Sequence, residues 1–203
     1  VSPKSEIFEA VARTGNALRS GKRLELLDLL AQLERPVQDL ADSAGLNITT
    51  ASAHLQVLRD AGLVVSRRDG TRIFYRLSGP EVAALVADLC RLAETYRPDV
   101  QATVNRYTVD SDVRVLSRSE LLEASTKGDV VVLDVRPGEE YAAGHLRGAR
   151  SIPLDQLPDR LSEIPLDVEI VAYCRGRYCV LSHEAVRILL ASGRRTALSA
   201  EGI

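Results

Sequence analysis

Two thiols, two guanidinium groups and a glycine fall together in the run Cys174-Arg175-Gly176-Arg177-Tyr178-Cys179. Before it, Ile170 to Tyr173 reads as a buried strand; after it, Val180 to Ser192 reads as a helix that stops at Gly193. A thiol at a strand end and ahead of a helix meets free backbone N–H groups and the positive end of the helix dipole. Both stabilise the thiolate and lower its pKa. Gly176 lets the loop curl so that successive N–H groups point inward as an anion nest, and Arg175 and Arg177 attract an anionic substrate. Cys174 is therefore the candidate nucleophile. Three roles stay open for Cys179: resolving an adduct on Cys174, forming a disulfide with it, or packing.

A second group of residues suits a different chemistry. Asn47 is a good N-cap for a helix running to about Ala61. Ile48, Ala51, Leu55 and Leu58 make its apolar face, and Thr49, Thr50, Ser52, His54 and Gln56 make a face of short hydrogen-bonding side chains that can approach base edges in a major groove. Beyond it, Leu63 to Arg68 and Arg72 to Leu77 read as strands joined at Asp69-Gly70, a strong hairpin signal. Arg67, Arg68, Arg72 and Arg76 cluster on that hairpin, within reach of phosphates or a minor groove.

The elements that position these groups follow from periodicity. Residues 5 to 33 read as two helices broken at Ser20-Gly21, the second with Leu24, Leu27, Leu30 and Leu33 on one stripe. Pro36 starts a third helix that stops at Gly45, and the tight turn to Asn47 makes a helix-turn-helix. Ser78-Gly79-Pro80 starts a helix with Val82, Leu85, Val86, Leu89 and Ala93 on one face, ending near Arg97-Pro98. Residues 98 to 115 have weak periodicity and read as a linker with some helix. From Leu116 the pattern changes: a short helix from Arg118, then the valine-rich strand Asp129 to Val135, then the strand and helix around Cys174. Strands alternating with helices argue for a parallel sheet. The expected fold is an α+β winged helix over residues 1–97, a linker over 98–115, and an α/β domain with a parallel sheet over 116–203.

At 203 residues the chain suits two domains. Its 45% hydrophobic content fills two cores, and its net charge of −2 argues against blanket nucleic-acid affinity while leaving room for a local basic patch. The longest apolar runs fall far short of the ~18 residues of a membrane span. No signal peptide is visible, so the expected location is cytoplasmic, with no membrane partner. Three cysteines in a reducing compartment point away from a disulfide framework.

Ala51-Ser52-Ala53-His54-Leu55-Gln56-Val57-Leu58-Arg59-Asp60-Ala61-Gly62-Leu63-Val64 and Arg67-Arg68-Asp69-Gly70-Thr71-Arg72, followed by Phe74-Tyr75-Arg76-Leu77, resemble the ArsR family of bacterial repressors over residues 6 to 97. That resemblance implies operator double-stranded DNA as partner and a homodimer formed through the first and last helices of this domain. Many ArsR proteins bind metal through paired cysteines in the third helix; here that stretch is Glu34-Arg35-Pro36-Val37-Gln38-Asp39-Leu40, without cysteine, and the last helix lacks histidine. No metal site and no cofactor are expected. Cys90, the one thiol of this domain, reads as a small buried hydrophobe.

Val131-Val132-Leu133-Asp134-Val135-Arg136, then Glu139-Glu140-Tyr141-Ala142-Ala143-Gly144-His145-Leu146-Arg147-Gly148-Ala149 and Ser151-Ile152-Pro153, resemble the rhodanese-like domain over residues 116–203. The resemblance implies a loop at Cys174 that takes sulfane sulfur from a small donor such as thiosulfate or a persulfide and holds it as a persulfide. It also implies a structural role for Asp134 and Arg136. Related phosphatases and arsenate reductases end their loop in an arginine, and Val180 stands in that place here. Rhodanese-like domains usually continue with a further helix, so the end at Glu201-Gly202-Ile203 implies a truncated domain or a different closure. Three functions follow: a repressor linked to sulfane-sulfur chemistry at Cys174, a thiosulfate or persulfide sulfurtransferase tethered to DNA, or a regulator whose inactive rhodanese domain recruits another protein.

Overall fold

Ser2 caps the first helix, α1 (Pro3–Ala17), by accepting from the Ser5 amide at 3.2 Å, with Pro3 at its first position where a missing N–H costs nothing. The computed structural model describes residues 2–108, 113–176, 178–200 and 202. They divide into two units, Val1–Glu94 and Thr95–Ile203.

In the first unit, α2 (Gly21–Gln32) buries Leu26, Leu27, Leu29 and Leu30. Its stripe is thus wider than the expected three-residue repeat: Leu24 and Leu33 are only half-buried, because several elements pack around this helix. Arg35–Pro36 is a two-residue strand, β1, and α3 (Val37–Ser43) starts just after it. The turn to α4 (Ile48–Asp60) passes through Gly45 at φ 61°, a left-handed conformation that glycine adopts without a Cβ clash. Asn47 caps α4 by accepting from the Thr50 amide at 2.8 Å. Strands β2 (Val64–Asp69) and β3 (Arg72–Leu77) form the hairpin, and β1 adds to β3, giving the antiparallel order β1-β3-β2. Helix α5 (Pro80–Tyr96) follows. Leu26, Leu27, Leu40, Leu55, Leu58 and Tyr75 share one core. This is a winged helix-turn-helix.

The second unit opens with α6 (Pro98–Tyr107), then β4 (Arg114–Leu116) and α7 (Arg118–Lys127). The expected linker 98–115 therefore holds a helix and most of a strand. Its four residues 109–112 lie outside the described residues. Helix α6 buries none of its residues and β4 buries only Leu116, so neither carries a strong apolar period. A capping box of Ser117 and Glu120 starts α7. The remaining elements are β5 (Val130–Asp134), α8 (Gly138–Ala143), β6 (Arg150–Ser151), a 3-10 turn at Leu161–Glu163, β7 (Glu169–Tyr173), α9 (Val180–Ala191) and β8 (Thr196–Ser199).

The five strands form an all-parallel sheet in the order β4-β8-β7-β5-β6. Alternate side chains of its central strands feed two cores. Leu133, Ile170 and Ala172 face Ala185, Val186 and Leu189 of α9, while Val132, Val171 and Tyr173 face Leu121 of α7. Buried on both faces, β5 and β7 read as continuous apolar runs rather than alternating ones. No helix among the described residues is long and apolar enough to cross a membrane.

Candidate functional site

Cys174 stands at the end of β7, the most buried strand of the parallel sheet, and is itself 2% exposed. The chain then turns through Gly176, whose φ of 137° favours glycine, and Cys179 is the N-cap residue of α9. Cys174 Sγ lies 3.2 Å from the Ser182 hydroxyl and 3.3 and 3.8 Å from the carbonyl oxygens of Cys179 and Gly176. The carbonyls take the proton of a thiol. Donors to a thiolate come from elsewhere: the Cys179 thiol, the Ser182 hydroxyl, and backbone groups at Gly176 and Ser182. Burial pushes the Cys174 pKa up, and these donors outweigh it, bringing the pKa down to about 7. The hydrogen bond to Cys174 and burial both hold the Cys179 thiol protonated, well above the usual thiol range. Both cysteines are free thiols.

The expected loop arginines divide. Arg175 is bidentate to Glu140 of α8, with Nη2 donating to Oε1 at 2.6 Å and Nε to Oε2 at 3.0 Å, and the Glu140 side chain is fully buried. Its charge is thus balanced within the protein, and it ties the loop to α8. Arg177 lies outside the described residues. Tyr178 is exposed. Gly202 passes so close that a Cβ there would overlap the Arg175 carbonyl.

Asp134 and Arg136 form a buried scaffold at the end of β5. Arg136 donates from Nη2 to Asp134 Oδ2 at 2.6 Å and to the Gly144 carbonyl at 2.7 Å, and its amide donates to Asp134 Oδ1 at 3.0 Å. The Tyr173 hydroxyl, one residue before Cys174, donates to Asp134 Oδ2 at 2.5 Å and accepts from the Leu146 amide. Burial and the Asp134 contact raise the Tyr173 pKa, so it remains a phenol. Sequence reasoning missed Ser182, Glu140 and Tyr173 as partners of the loop. Ser182 was the findable one, because a residue in the first turn of a helix must face the loop its N-terminus closes.

Beside the loop lies a cavity of about 190 Å3, bounded by Tyr178, Cys179, Val180 and His183 and by residues of α6.

On the other unit, Thr49 and Gln56 are exposed along α4, and Thr50, Ser52 and His54 are half-buried beside them. Ile48, expected on the apolar face, is 47% exposed, because the first turn of α4 projects beyond the core. The wing arginines differ in their commitments. Arg67 donates from Nη2 to Glu34 at 2.6 Å and from Nη1 to Asp69 at 3.2 Å, and stacks 4.5 Å over Phe74. Arg68 donates to the Gly70 carbonyl at the hairpin tip, and Arg72 is exposed opposite Asp69. On α5, Leu85, Leu89 and Leu92 are exposed, as are Ile7, Phe8 and Val11 of α1. Cys90 is half-buried; burial, then Asp28 and Glu94, raise its pKa and keep it a thiol.

A winged helix-turn-helix with a polar outer helix face and a basic hairpin, in one chain with a parallel-sheet α/β domain that buries a cysteine at a strand end, defines a DNA-binding regulator with a second, α/β domain. Residues 20–66 match the bacterial regulatory protein, arsR family, and residues 117–203 match the rhodanese-like domain. The chain is 46% identical over 200 residues to the HTH-type transcriptional regulator Rv0324 of Mycobacterium tuberculosis, covering 98% of this chain and 88% of that one. A homodimeric winged helix-turn-helix DNA-binding domain, fragment 1–100 of Mb0332 from Mycobacterium bovis, is 47% identical and covers 48% of this chain and 90% of its own, with a TM-score of 0.45. This chain belongs to the ArsR family of transcriptional regulators and carries a rhodanese-like domain.

Proposed function

We propose that the protein is a homodimeric repressor whose hold on operator DNA is set by sulfane sulfur carried on Cys174. The observation that carries this reading is the Cys174 thiol, which is buried yet surrounded by enough donors to bring its pKa down to about 7. Such a thiol is substantially thiolate at neutral pH and therefore nucleophilic. Near-complete burial suits a group that is modified and held better than one that turns over rapidly.

The DNA-reading residues are Thr49, Thr50, Ser52, His54 and Gln56 on α4, with Arg68 and Arg72 on the wing. The exposed leucines of α5 and the apolar face of α1 form the dimer contact, because large apolar side chains left exposed along a helix in this number mark an interaction site. The homodimer of the Mycobacterium bovis relative supports that assignment. A persulfide on Cys174 adds an atom inside a close-packed loop, and closely packed elements respond by shifting between discrete arrangements. The Arg175–Glu140 tie and the α9 N-terminus are the parts that would move.

The reading is tested by treating the full chain with a sulfane-sulfur donor and mapping the added sulfur by mass spectrometry. Persulfide on the Cys174 peptide, absent in Cys174→Ser, supports it; an unmodified Cys174 overturns it.

A further inference from the structure

Cys179 folds back onto Cys174 within the loop. Its amide donates to the Gly176 carbonyl at 3.0 Å, and its own carbonyl lies 3.3 Å from Cys174 Sγ. The Cys179 thiol is hydrogen-bonded to the Cys174 sulfur. The other described groups around that sulfur are the Ser182 hydroxyl and the carbonyls of Gly176 and Cys179. A hydroxyl or a carbonyl can only hydrogen-bond to an adduct on Cys174, whereas a thiol can displace it. The two thiols also differ in access. Cys179 lines the cavity of about 190 Å3 together with Val104, Tyr107, Tyr178, Val180 and His183, and Cys174 is not among the described residues of that lining. A space of this size far exceeds the about 10–15 Å3 that one water-sized molecule needs. A triatomic product released from the loop therefore has room on the Cys179 side.

The pair is also ordered in its chemistry. A free Cys174 holds the Cys179 proton in place through their hydrogen bond, and burial acts in the same direction. Once Cys174 Sγ is bonded to a second sulfur it is no longer a thiolate, and that hold on the Cys179 proton is lost.

We propose that Cys179 is a resolving thiol, which closes a disulfide with Cys174 and expels the sulfur carried there as hydrogen sulfide. This rests on the sulfur-linked reading above and adds the fate of the sulfur after loading. Cys179 Sγ attacks Sγ of the Cys174 perthiol. The bond between the two cysteine sulfurs forms as the bond from Cys174 Sγ to the outer sulfur breaks. The outer sulfur leaves with the electron pair, keeps its own proton and takes the proton of Cys179. The two cysteines are oxidised to the disulfide and the sulfane sulfur is reduced, so no further oxidant enters. Reopening the disulfide takes a thiol reductant, and Cys179, on the cavity wall, is the sulfur it reaches.

Cys179→Ser separates loading from closure. Its hydroxyl keeps a donor beside Cys174, and serine is a favourable N-cap residue for α9. Reduced full-length parent and Cys179→Ser are held under argon and offered thiosulfate or, in a second series, inorganic tetrasulfide. Arg175 and Arg177 stand between the two cysteines, so trypsin separates their peptides unless a disulfide joins them. Mass spectrometry follows the Cys174 persulfide and the joined peptides over time, and hydrogen sulfide is trapped and measured against a donor-only blank. In the parent the persulfide is expected first, then its decline as joined peptides and an equimolar amount of hydrogen sulfide rise. In Cys179→Ser the persulfide is expected to persist, with loss of both products. A parent persulfide that lasts as long as that of Cys179→Ser, or joined peptides that form equally without donor, overturns the resolving role alone. Failure of both donors to place sulfur on Cys174 in either protein, with no joined peptides, overturns the sulfur-linked reading and the proposal with it.

Discussion

The Ser182 hydroxyl, in the first turn of α9, lies 3.2 Å from Cys174 Sγ at the end of β7. Together with the Cys179 thiol it supplies the side-chain donors that favour a thiolate against the cost of burial. The Glu140–Arg175 pair is internally balanced. Removing a donor leaves burial less opposed, so Ser182→Ala and Cys179→Ala each raise the Cys174 pKa from about 7 toward or beyond the ordinary thiol value of about 8.5. The check is the pH dependence of iodoacetamide alkylation at the Cys174 peptide. The midpoint lies near 7 in the parent and moves upward in both variants, slowing alkylation at neutral pH.

Arg175→Ala strands the fully buried Glu140 side chain without its bidentate partner. Breaking a buried pair from one side costs about 3–5 kcal/mol. Chemical denaturation of the second unit's signal should show a loss of that order, whereas replacing exposed Arg114, which pairs with Glu169 at the surface, should cost about 1 kcal/mol or less. Equal losses would contradict the assignment of Arg175 as the tie between loop and α8.

On DNA, the wing arginines should not behave alike. Arg67 is already engaged by Glu34 and Asp69, so Arg67→Ala should change affinity less than Arg72→Ala. Arg72→Ala should weaken binding across sequences and reduce the salt slope by about one. Gln56→Ala should instead cost about 1–3 kcal/mol at particular base positions. Affinity measured against salt on an operator and its single-base variants separates the two effects.

Leu92 is 55% exposed on α5 in the isolated chain. If the α1 and α5 faces meet a second copy, Leu92→Glu places a charge at a desolvated contact and should convert the dimer to monomer in sedimentation velocity. Operator affinity should fall with it, because each half-site then binds alone. An unchanged sedimentation coefficient would remove α5 from the interface.

Legibility in the sequence followed the strength of local signals. The Asn47 cap, the Asp69-Gly70 turn and the four-leucine helix α2 were readable because capping, turn chemistry and apolar period agree there. The loop at Cys174 was readable because a valine-rich strand and a well-formed helix flank it. Strands β4, β6 and β8 were not, since each is only two to four residues long and is held by neighbours distant in sequence. Helix α6 was legible only as some helix within a linker, without bounds: it buries no residue, so its period carries no core signal. The commitments of Arg175 to Glu140 and Arg67 to Glu34 span about 35 residues each and follow only from the tertiary fold.

The most direct test is operator affinity before and after treatment with a persulfide donor, for the parent and for Cys174→Ser, with loading confirmed by mass spectrometry. The account predicts that loading changes the affinity of the parent and leaves Cys174→Ser unaffected. Equal affinity in all four samples, with Cys174 of the parent fully persulfidated, would contradict it and leave the two domains chemically uncoupled.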